Sequence, residues 1–424
     1  MTAIIPILKS LFPPSCHERI FLVGGTLRDM QLGRESQDID LVTSLSADEL
    51  CALGFRHVEA TSGSAIYFRY HPEFGKIEAS RIDSRYDLEA DLHRRDFTVN
   101  AMAMDLSGRM IDPLGGADDV KMRALRVCSD SSFTDDPLRI FRAFRFAADG
   151  WRIPADTAAL IDAGEWSAAF AAIPTERFSA EMVKALPLST PERFFQLMLE
   201  FKVGAEFLPE IFRMPQIPAG PLQHHPEGDL LTHSIQVLQR VAAETGEPLP
   251  RFCALFHDLG KLATDPALYP THHGHDTTGF GMAVEFCNRL RLPTTYRTAL
   301  AWVSSLHGKA NKWHELRDSS KLKMAEQAFK GGIVHILPLI AAANKAGGLP
   351  MTGWEDVVRI AVMSARELGI DQKSLEAMPV KSRAAFILQK RIEMLKKTVV
   401  TCPEKRQVTA ETRDKSKCEV SMVE

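Results

Sequence analysis

Several features are absent from this 424-residue sequence. Its seven cysteines, at positions 16, 51, 128, 253, 287, 402 and 418, include no Cys-x-x-Cys pair and no regular framework, which indicates free thiols in a reducing cytoplasm. No charge-free run reaches the roughly 20 residues needed to span a bilayer. The first residues, MTAIIPILKSLFPP, lack a basic stretch followed by a long apolar one. We therefore predict a soluble cytoplasmic protein with no membrane segment.

The chain also lacks an excess of either charge. Its 51 Lys and Arg residues against 54 Asp and Glu residues give a net charge of −3. A nucleic-acid-binding protein with this balance must concentrate its cations locally, so the total charge neither proves nor excludes RNA as a partner. The chain is too long for one ordinary core, and we expect about three or four packed units.

Two kinds of periodicity divide the chain. Up to about residue 125, short β-forming runs alternate with helical segments, and the predicted strands are 20–23, 39–42, 65–70, 76–79 and 109–111. From residue 135 onward, apolar residues recur at spacings of three and four, beginning with a predicted helix at 135–148. The predicted fold class is α+β, with a small mixed α/β domain followed by a mostly helical remainder.

The most informative segment is 21–42, FLVGGTLRDMQLGRESQDIDLV. Gly24 and Gly25 break an apolar run before a short helical segment, so backbone N–H groups there can face phosphate oxygens. Asp38 and Asp40 alternate along a strand and point to one face, where two carboxylates can share divalent metals. Either feature alone is usually an ordinary turn or a solvent-facing surface. Their order and spacing together indicate a nucleotide site.

Glu78 offers a third carboxylate. It alternates with apolar neighbours, so it can stand on the same face of an adjacent strand, although a lone acid there is equally consistent with a surface position. Two-metal phosphoryl transfer needs such a cluster, because one metal lowers the pKa of the attacking hydroxyl and the other neutralises charge on the triphosphate.

Residues 134–146, TDDPLRIFRAFRF, form a second polar motif. Asp136 and Arg139 lie three residues apart, on one face of a helix that Thr134 or Asp135 can cap. The simplest interpretation is an intrahelical salt bridge. Further arginines at 142 and 145 continue this face and can reach phosphates.

Together these segments resemble the class II nucleotidyltransferases, which include bacterial-type tRNA nucleotidyltransferases and poly(A) polymerases. Segment 21–42 is similar to LVGGxVRDxLLGxxxxDxD, and LHRRDFTVNAMA at 92–103 is similar to RRDFTINAMA. DPLGGADD at 112–119 resembles DPxGGxxDL, and DDPLR at 135–139 resembles EDxxR with Asp135 in place of Glu. The DPLGG glycines suggest a hinge between domains.

This resemblance implies an enzyme that adds CMP, and AMP, from CTP and ATP to the tRNA 3′ end without a nucleic-acid template. Asp38 and Asp40 would hold Mg²⁺, and Glu78 would be the third catalytic carboxylate. The implied nucleotide-binding residues are Gly24, Gly25, Arg28, Arg95, Asp96, Asn100, Asp136, Arg139, Arg142 and Arg145. Among them, Arg95 and Asp96 would grip the phosphate and the ribose, while Asp136 and Arg139 would select the base.

The product depends on the short interval ASRIDSRYDLEADLH, at 79–93. CCA-adding members of the family generally carry a longer flexible loop there, which helps the pocket switch from CTP to ATP. The short interval favours a CC-adding enzyme that leaves the terminal A to a separate A-adding partner, and full CCA addition stays open. A class II poly(A) polymerase is less favoured, because those polymerases usually carry a basic tail and this tail is mixed in charge.

Ten of the fourteen histidines fall between residues 224 and 335. HHPEGDLLTHS at 224–234, FHDLGK at 256–261 and YPTHHGH at 269–275 resemble the HD phosphohydrolase superfamily. The implied site for a divalent transition metal consists of His233, His257, Asp258, His275 and His307. HD enzymes usually complete it with a later Asp, but the matching residue here is Asn344, a weaker ligand beside Lys345. Three alternatives follow: a second hydrolase activity, an HD scaffold that supports tRNA, or a protein that is primarily a hydrolase.

The proline-rich stretch at 209–221 marks a domain boundary. The predicted organisation is a catalytic domain at 1–125, a nucleotide-selecting and tRNA-binding helical region at 126–220, an HD-like domain at 221–350, C-terminal helices at 351–398 and a disordered tail at 399–424.

Overall fold

The computed structural model describes residues 4–34, 38–59, 65–73, 75–345 and 347–400. The chain forms two compact units, Met1–Leu208 and Pro209–Glu424. The division falls at the start of the predicted proline-rich boundary. The finer division into five parts stays a prediction.

Within the described residues, the first unit contains a mixed sheet of seven strands. They are β1 (Ile20–Val23), β2 (Asp38–Thr43), β3 (Arg56–Glu59), β4 (Ala65–His71), β5 (Gly75–Arg81), β6 (Ala103–Asp105) and β7 (Met110–Ile111). Their spatial order is β3-β4-β5-β2-β1-β6-β7, with β2 and β5 parallel and the other neighbours antiparallel. The five predicted strands are confirmed. Strands β3 and β6 were not predicted, because RHVE and AMD are too short and too mixed to show a strand pattern.

The two faces of this sheet differ. Ile39, Leu41 and Ile77 are buried on one face. On the opposite face, Phe21 and Val42 pack with apolar residues of the helix that follows β5. Five helices accompany the strands in the described part of this region: α1 (Ile4–Leu11), α2 (Gly25–Gln31), α3 (Ala47–Ala52), α4 (Leu88–His93) and α5 (Gly116–Met122). Helix α4 thus covers one part of the face that carries Asp40.

The remainder of the first unit is helical. Its helices are α6 (Ser132–Asp135), α7 (Leu138–Ala148), α8 (Ala155–Asp162), α9 (Ser167–Ala171), α10 (Thr175–Ala185) and α11 (Glu192–Glu200). Phe141 of α7 is at the centre of its core, in contact with the rings of Phe144, Phe170, Phe178, Phe194 and Phe207. The helix predicted at 135–148 is confirmed over 138–148 and is wrong at its start. Asp136 is extended, with φ −146°, because a proline at 137 disfavours the helical conformation of the preceding residue.

The second unit consists of helices joined by loops, with no β-strand among its described residues. Its helices are α12 (Pro209–Arg213), α13 (Leu230–Glu244), α14 (Pro248–Phe256), α15 (His275–Arg289), α16 (Thr294–Ala310), α17 (Asp318–Lys330), α18 (Ile336–Ala343), α19 (Trp354–Ala361), α20 (Gln372–Ala377) and α21 (Val380–Val400). Helix α21 includes residues 399 and 400 of the predicted tail, and 401–424 lie outside the described residues. None of the described helices has the length and apolar character of a membrane-spanning segment.

The α+β fold class is therefore confirmed, with a mixed sheet near the N-terminus and a mostly helical remainder. The described cysteines, at 16, 51, 128, 253 and 287, are free thiols. The two at 402 and 418 lie outside the described residues.

Candidate functional site

The glycine turn after β1 places the backbone of Gly24 close to two predicted site residues, Asp40 and Arg95. Gly24 has φ +72°, in the left-handed region that favours glycine. A Cβ atom there would lie 3.1 Å from Asp40 Oδ2 and 3.4 Å from Arg95 Nη1. Glycine therefore allows the turn, the carboxylate and the guanidinium to approach closely. Helix α2 begins at the next residue, Gly25.

Two of the three predicted catalytic carboxylates lie side by side. Asp40 of β2 is paired in register with Glu78 of β5, so both side chains project from the same face. Glu78 also forms an ion pair with Lys76, a cation two positions away that sequence reasoning did not assign. Asp38 begins β2 opposite Lys76, and its side chain lies outside the described residues.

A cavity of about 430 Å³ lies beside Asp40. Its lining residues are Gly24, Gly25, Arg28, Asp40, Arg95, Asp96, Asn100, Asp136, Leu138, Arg139, Arg142, Arg145, Phe146 and Arg177. All ten residues that the resemblance implies as nucleotide contacts line this cavity. Sequence reasoning missed Leu138, Phe146 and Arg177. Six arginines face three carboxylates here, which gives a local excess of positive charge suited to a triphosphate.

Asp96 is buried and held by protein donors. Its Oδ1 accepts from the Phe97 backbone N–H at 2.8 Å and from Asn100 Nδ2 at 3.0 Å. Its Oδ2 accepts from Arg142 Nη2 at 2.7 Å and Nε at 2.9 Å. Burial alone would raise the pKa of Asp96, but the Arg142 charge and these hydrogen bonds lower it to about 2. Asp96 therefore orients Arg142, and its predicted contact with a ribose hydroxyl stays a prediction.

Glu181, a buried acid on α10, pairs with two arginines of the cavity wall, Arg142 and Arg145. Glu181 Oε2 accepts from Arg145 Nε at 2.6 Å, and its Oε1 lies 3.7 Å from Arg142 Nη1. Arg145 also rests on the Phe146 ring at 4.6 Å from its centroid, with Arg28 at 5.0 Å from the same centroid. Sequence reasoning missed Glu181, although an acid among the apolar positions of a helix was a usable signal.

Asp136 and Arg139 do not form the intrahelical salt bridge considered above. Asp136 precedes α7 and accepts a hydrogen bond of 2.8 Å from Arg177 Nη2 on α10. Arg139 donates to the backbone carbonyl oxygens of Arg94 at 2.7 Å and Arg95 at 3.3 Å. It also donates to the hydroxyl of Ser132 at 3.0 Å. Both motif residues line the cavity, but each is tied to a separate part of the chain.

Four of the five predicted HD residues converge on the fifth, Asp258, in the second unit. Its Oδ1 lies 3.1 Å from His307 Nε2 and 3.4 Å from His275 Nε2. Its Oδ2 lies 3.1 Å from His257 Nε2 and 3.6 Å from His233 Nε2. Asp258 Oδ1 and His257 Nε2 are buried and accept or donate no hydrogen bond of good geometry. Such convergence is typical of ligand atoms around a cation.

Further polar residues surround this cluster and were missed by sequence reasoning. Glu227 Oε1 lies 2.6 Å from His233 Nδ1 and 3.0 Å from His225 Nδ1. Lys261 Nζ lies 2.7 Å from Asp258 Oδ2. Burial alone would raise the pKa of Asp258, but the charges of the neighbouring His257 and Lys261 hold it well below its ordinary value.

Asn344 occupies the place that the HD resemblance assigns to a carboxylate. It is buried, and its Oδ1 lies 3.0 Å from His233 Nε2. Burial lowers the pKa of His233 to about 4, so this imidazole is neutral near pH 7. Within the described residues, three groups of side chains could hold a metal ion: His225, Glu227 and His233; His233, His257 and Asp258; and Asp258, His275 and His307.

Comparisons with known proteins match both parts of the chain that carry these residues. A family model described as the poly(A) polymerase head domain matches residues 20–126, and the HD domain model matches residues 230–336. The multifunctional CCA protein of Thioalkalivibrio sulfidiphilus is 32% identical over 404 residues, which cover 89% of this chain and 98% of the relative. This chain belongs to the multifunctional CCA protein family. Another member, from Methylococcus capsulatus, is 36% identical over 330 residues, or 73% of this chain and 76% of the relative.

Solved structures share the fold of this CCA protein family member. A Thermotoga maritima CCA-adding enzyme complexed with tRNA is 20% identical, with a TM-score of 0.57 over 92% of this chain and 93% of that one. The Bacillus stearothermophilus CCA-adding enzyme in complex with CTP is 22% identical, with a TM-score of 0.56 over 94% of each chain. At these identities the likeness establishes the fold. The resemblance drawn from the sequence motifs is confirmed.

Proposed function

We propose that this protein extends the 3′ end of tRNA with CMP and AMP residues from CTP and ATP. The observation that carries the proposal is the single cavity in which Gly24, Asp40 and six arginines meet. The names of the relatives support the choice of reaction. The RNA 3′ hydroxyl attacks the α-phosphorus of the nucleotide, a new phosphodiester bond forms, and pyrophosphate leaves.

Asp38 and Asp40 would hold Mg²⁺, with Glu78 as a supporting carboxylate. Carboxylate oxygens are the ligands that Mg²⁺ takes from proteins, and the close approach of Gly24 to Asp40 Oδ2 leaves this oxygen at the wall of the cavity. Mg²⁺ held there would lower the pKa of the attacking hydroxyl and neutralise charge on the triphosphate. Arg28, Arg95 and Arg145 line the same cavity and bind phosphate oxygens.

Asp136 and Arg139 would present hydrogen-bonding edges to the incoming base. Asp136 can only accept and Arg139 can only donate, so the pair offers a fixed pattern to a base edge. Asp96 has a different role, because it orients Arg142 through two hydrogen bonds. Protein side chains thereby take the place of a nucleic-acid template.

CC-only addition is the second candidate product, and one structural observation favours it. The interval between Glu78 and Arg94 is fully described and contains the turn Arg85–Asp87 followed directly by α4, which leaves no long flexible loop. The test uses tRNA transcripts that end at the discriminator base, or in C or CC, with CTP, ATP or both. Efficient A addition to the CC-ending tRNA supports full CCA addition, and its absence with efficient C addition overturns it.

The HD unit would hold a divalent transition metal and act as a phosphohydrolase. Asp258, whose two oxygens face different histidines, supports this second activity, while Asn344 weakens the ligand set. We expect metal analysis to find a divalent ion in the wild-type protein and a loss of that ion in His257→Ala. Phosphatase and cyclic phosphodiesterase assays on the same pair test hydrolysis. Equal activity in both proteins would reject the hydrolase and leave the HD unit as a scaffold.

A further inference from the structure

The sheet face that carries the catalytic carboxylates continues outward onto aromatic and basic side chains. Phe68 of β4 is paired with Glu78, and Glu78 is paired with Asp40. Tyr70, two positions along β4, is paired with Lys76. Directly paired residues share a face, as do residues two apart on one strand. The two aromatic rings therefore stand on the same face as the carboxylates.

This part of the face is open. The Tyr70 side chain is 70% exposed, and Phe68 is partly exposed. Their rings meet edge to face, with centroids 5.9 Å apart, and Lys76 Nζ lies 5.7 Å from the Phe68 centroid. Arg56, paired with Phe68 on the edge strand β3, is also exposed. Tyr70 adds little to the buried core, so its exposed ring is available to contact a ligand.

Aromatic rings interleaved with cations on an open sheet are the surface that binds unpaired nucleotides, since bases stack on the rings and cations meet the backbone. Phe68 is on β4, two strands across the sheet from Asp40 on β2, which is roughly 10 Å at the usual spacing between strands. A base on this surface therefore belongs to a nucleotide at or next to the end that reacts. The charge pattern fits the same occupant, because Lys76 and Arg56 flank the rings.

We propose that Phe68 and Tyr70 form a stacking platform for the unpaired nucleotides at the 3′ end of the RNA substrate. The platform rests on the proposed function, because it positions the 3′ hydroxyl beside Asp40 and Glu78. Every base has a π-face, so stacking tolerates any base. This property suits a substrate whose terminal nucleotide changes after each addition.

The test compares Tyr70→Ala and Phe68→Ala with wild type, and Tyr70→Phe serves as the conservative variant that keeps the ring. Tyr86→Ala is the matched control, because Tyr86 is 83% exposed in the same unit and is outside the sheet. We expect the KM for tRNA to rise roughly 5- to 100-fold in the two alanine variants, the range produced by loss of one base–aromatic stack. The KM for CTP stays unchanged, and Tyr70→Phe and Tyr86→Ala behave as wild type.

A direct reporter is tRNA with 2-aminopurine at the discriminator position. Binding to wild type quenches its fluorescence, and Tyr70→Ala reduces this quenching while circular dichroism shows an unchanged fold. The platform is overturned if the wild type is active and the two alanine variants retain both its KM for tRNA and its fluorescence quenching. A wild type that incorporates no CMP overturns the proposed function instead, so the two failures are distinguishable.

Discussion

Asp136 accepts a hydrogen bond of 2.8 Å from Arg177, a residue 41 positions later in the chain. This bond links the start of α7 to α10 at the wall of the cavity. About half of the Arg177 side chain is exposed, so solvent screens the pair and its contribution to stability is small. Its importance is therefore in the cavity, where it fixes the orientation of the Asp136 carboxylate.

Arg177→Ala should reduce discrimination between CTP and the other nucleotides. Without Arg177 the Asp136 carboxylate can turn away from the base edge, and loss of one charged hydrogen bond corresponds to about tenfold. The measurement is the ratio of kcat/KM for CTP to that for UTP. Arg193→Ala, which removes a surface ion pair with Glu200 in the same unit, is the control. An unchanged ratio in Arg177→Ala would contradict this role.

Asp40→Asn should abolish CMP incorporation, with a fall of at least about 10³-fold in kcat. Folding should be retained, because removal of one charge from neighbouring carboxylates relieves repulsion. Incorporation of radiolabelled CMP and thermal unfolding provide the two measurements. Asp48→Asn changes an exposed acid on α3 and should leave both unaffected. Retained incorporation in Asp40→Asn would show that the metal is held elsewhere.

Asp96→Asn should lower the free energy of unfolding by about 2–3 kcal/mol at pH 7, because it removes the closer of the two buried carboxylates that pair with Arg142. The loss should depend on pH. The folded-state pKa of Asp96 is about 2, below its ordinary value of 3.8. Its stabilisation is therefore present above pH ~4 and is lost as the pH falls towards 2. Urea unfolding of wild type and variant across this range should show their difference shrinking, and a constant difference would be the contrary result.

Asn344→Asp should increase metal affinity in the second unit by at least about tenfold, since a carboxylate replaces a neutral amide next to His233. Isothermal titration calorimetry with Ni²⁺ or Zn²⁺ measures the affinity directly. Asn311→Asp adds the same charge at an exposed position just after α16 and controls for net charge. Equal affinities for all three proteins would place Asn344 outside the metal site.

The resemblance to class II nucleotidyltransferases predicted which residues line the cavity but not how they are hydrogen-bonded. Glycine turns and strand alternation depend on neighbouring residues, so Gly24, Asp40 and Glu78 could be placed from the sequence. The arginine partners of Asp96 and Asp136 are Arg142 and Arg177, which lie 46 and 41 positions away in the chain. Such partners depend on how α7 and α10 pack against each other.

The HD cluster shows the same limit. The resemblance to the HD superfamily implied five residues, and the central position of Asp258 emerged only from the packing of four helices. Glu227 was missed because a single acid in a loop carries no periodic signal. Strand β3 was missed for a similar reason, because its pairing with β4 compensates for a weak local preference.

The turn at Arg85–Asp87 begins with a capping box at Ser84 and runs directly into α4, whose Leu88 and Leu92 are buried against the sheet. Both ends of the interval 79–93 are therefore fixed, by β5 at its start and by α4 at its end. Within residues 79–93, all of which the structure describes, there is therefore no long loop that could move to exchange one base preference for another. The groups that remain beside the incoming base are the arginine and aspartate side chains of the cavity wall, to which our proposal assigns the choice of nucleotide.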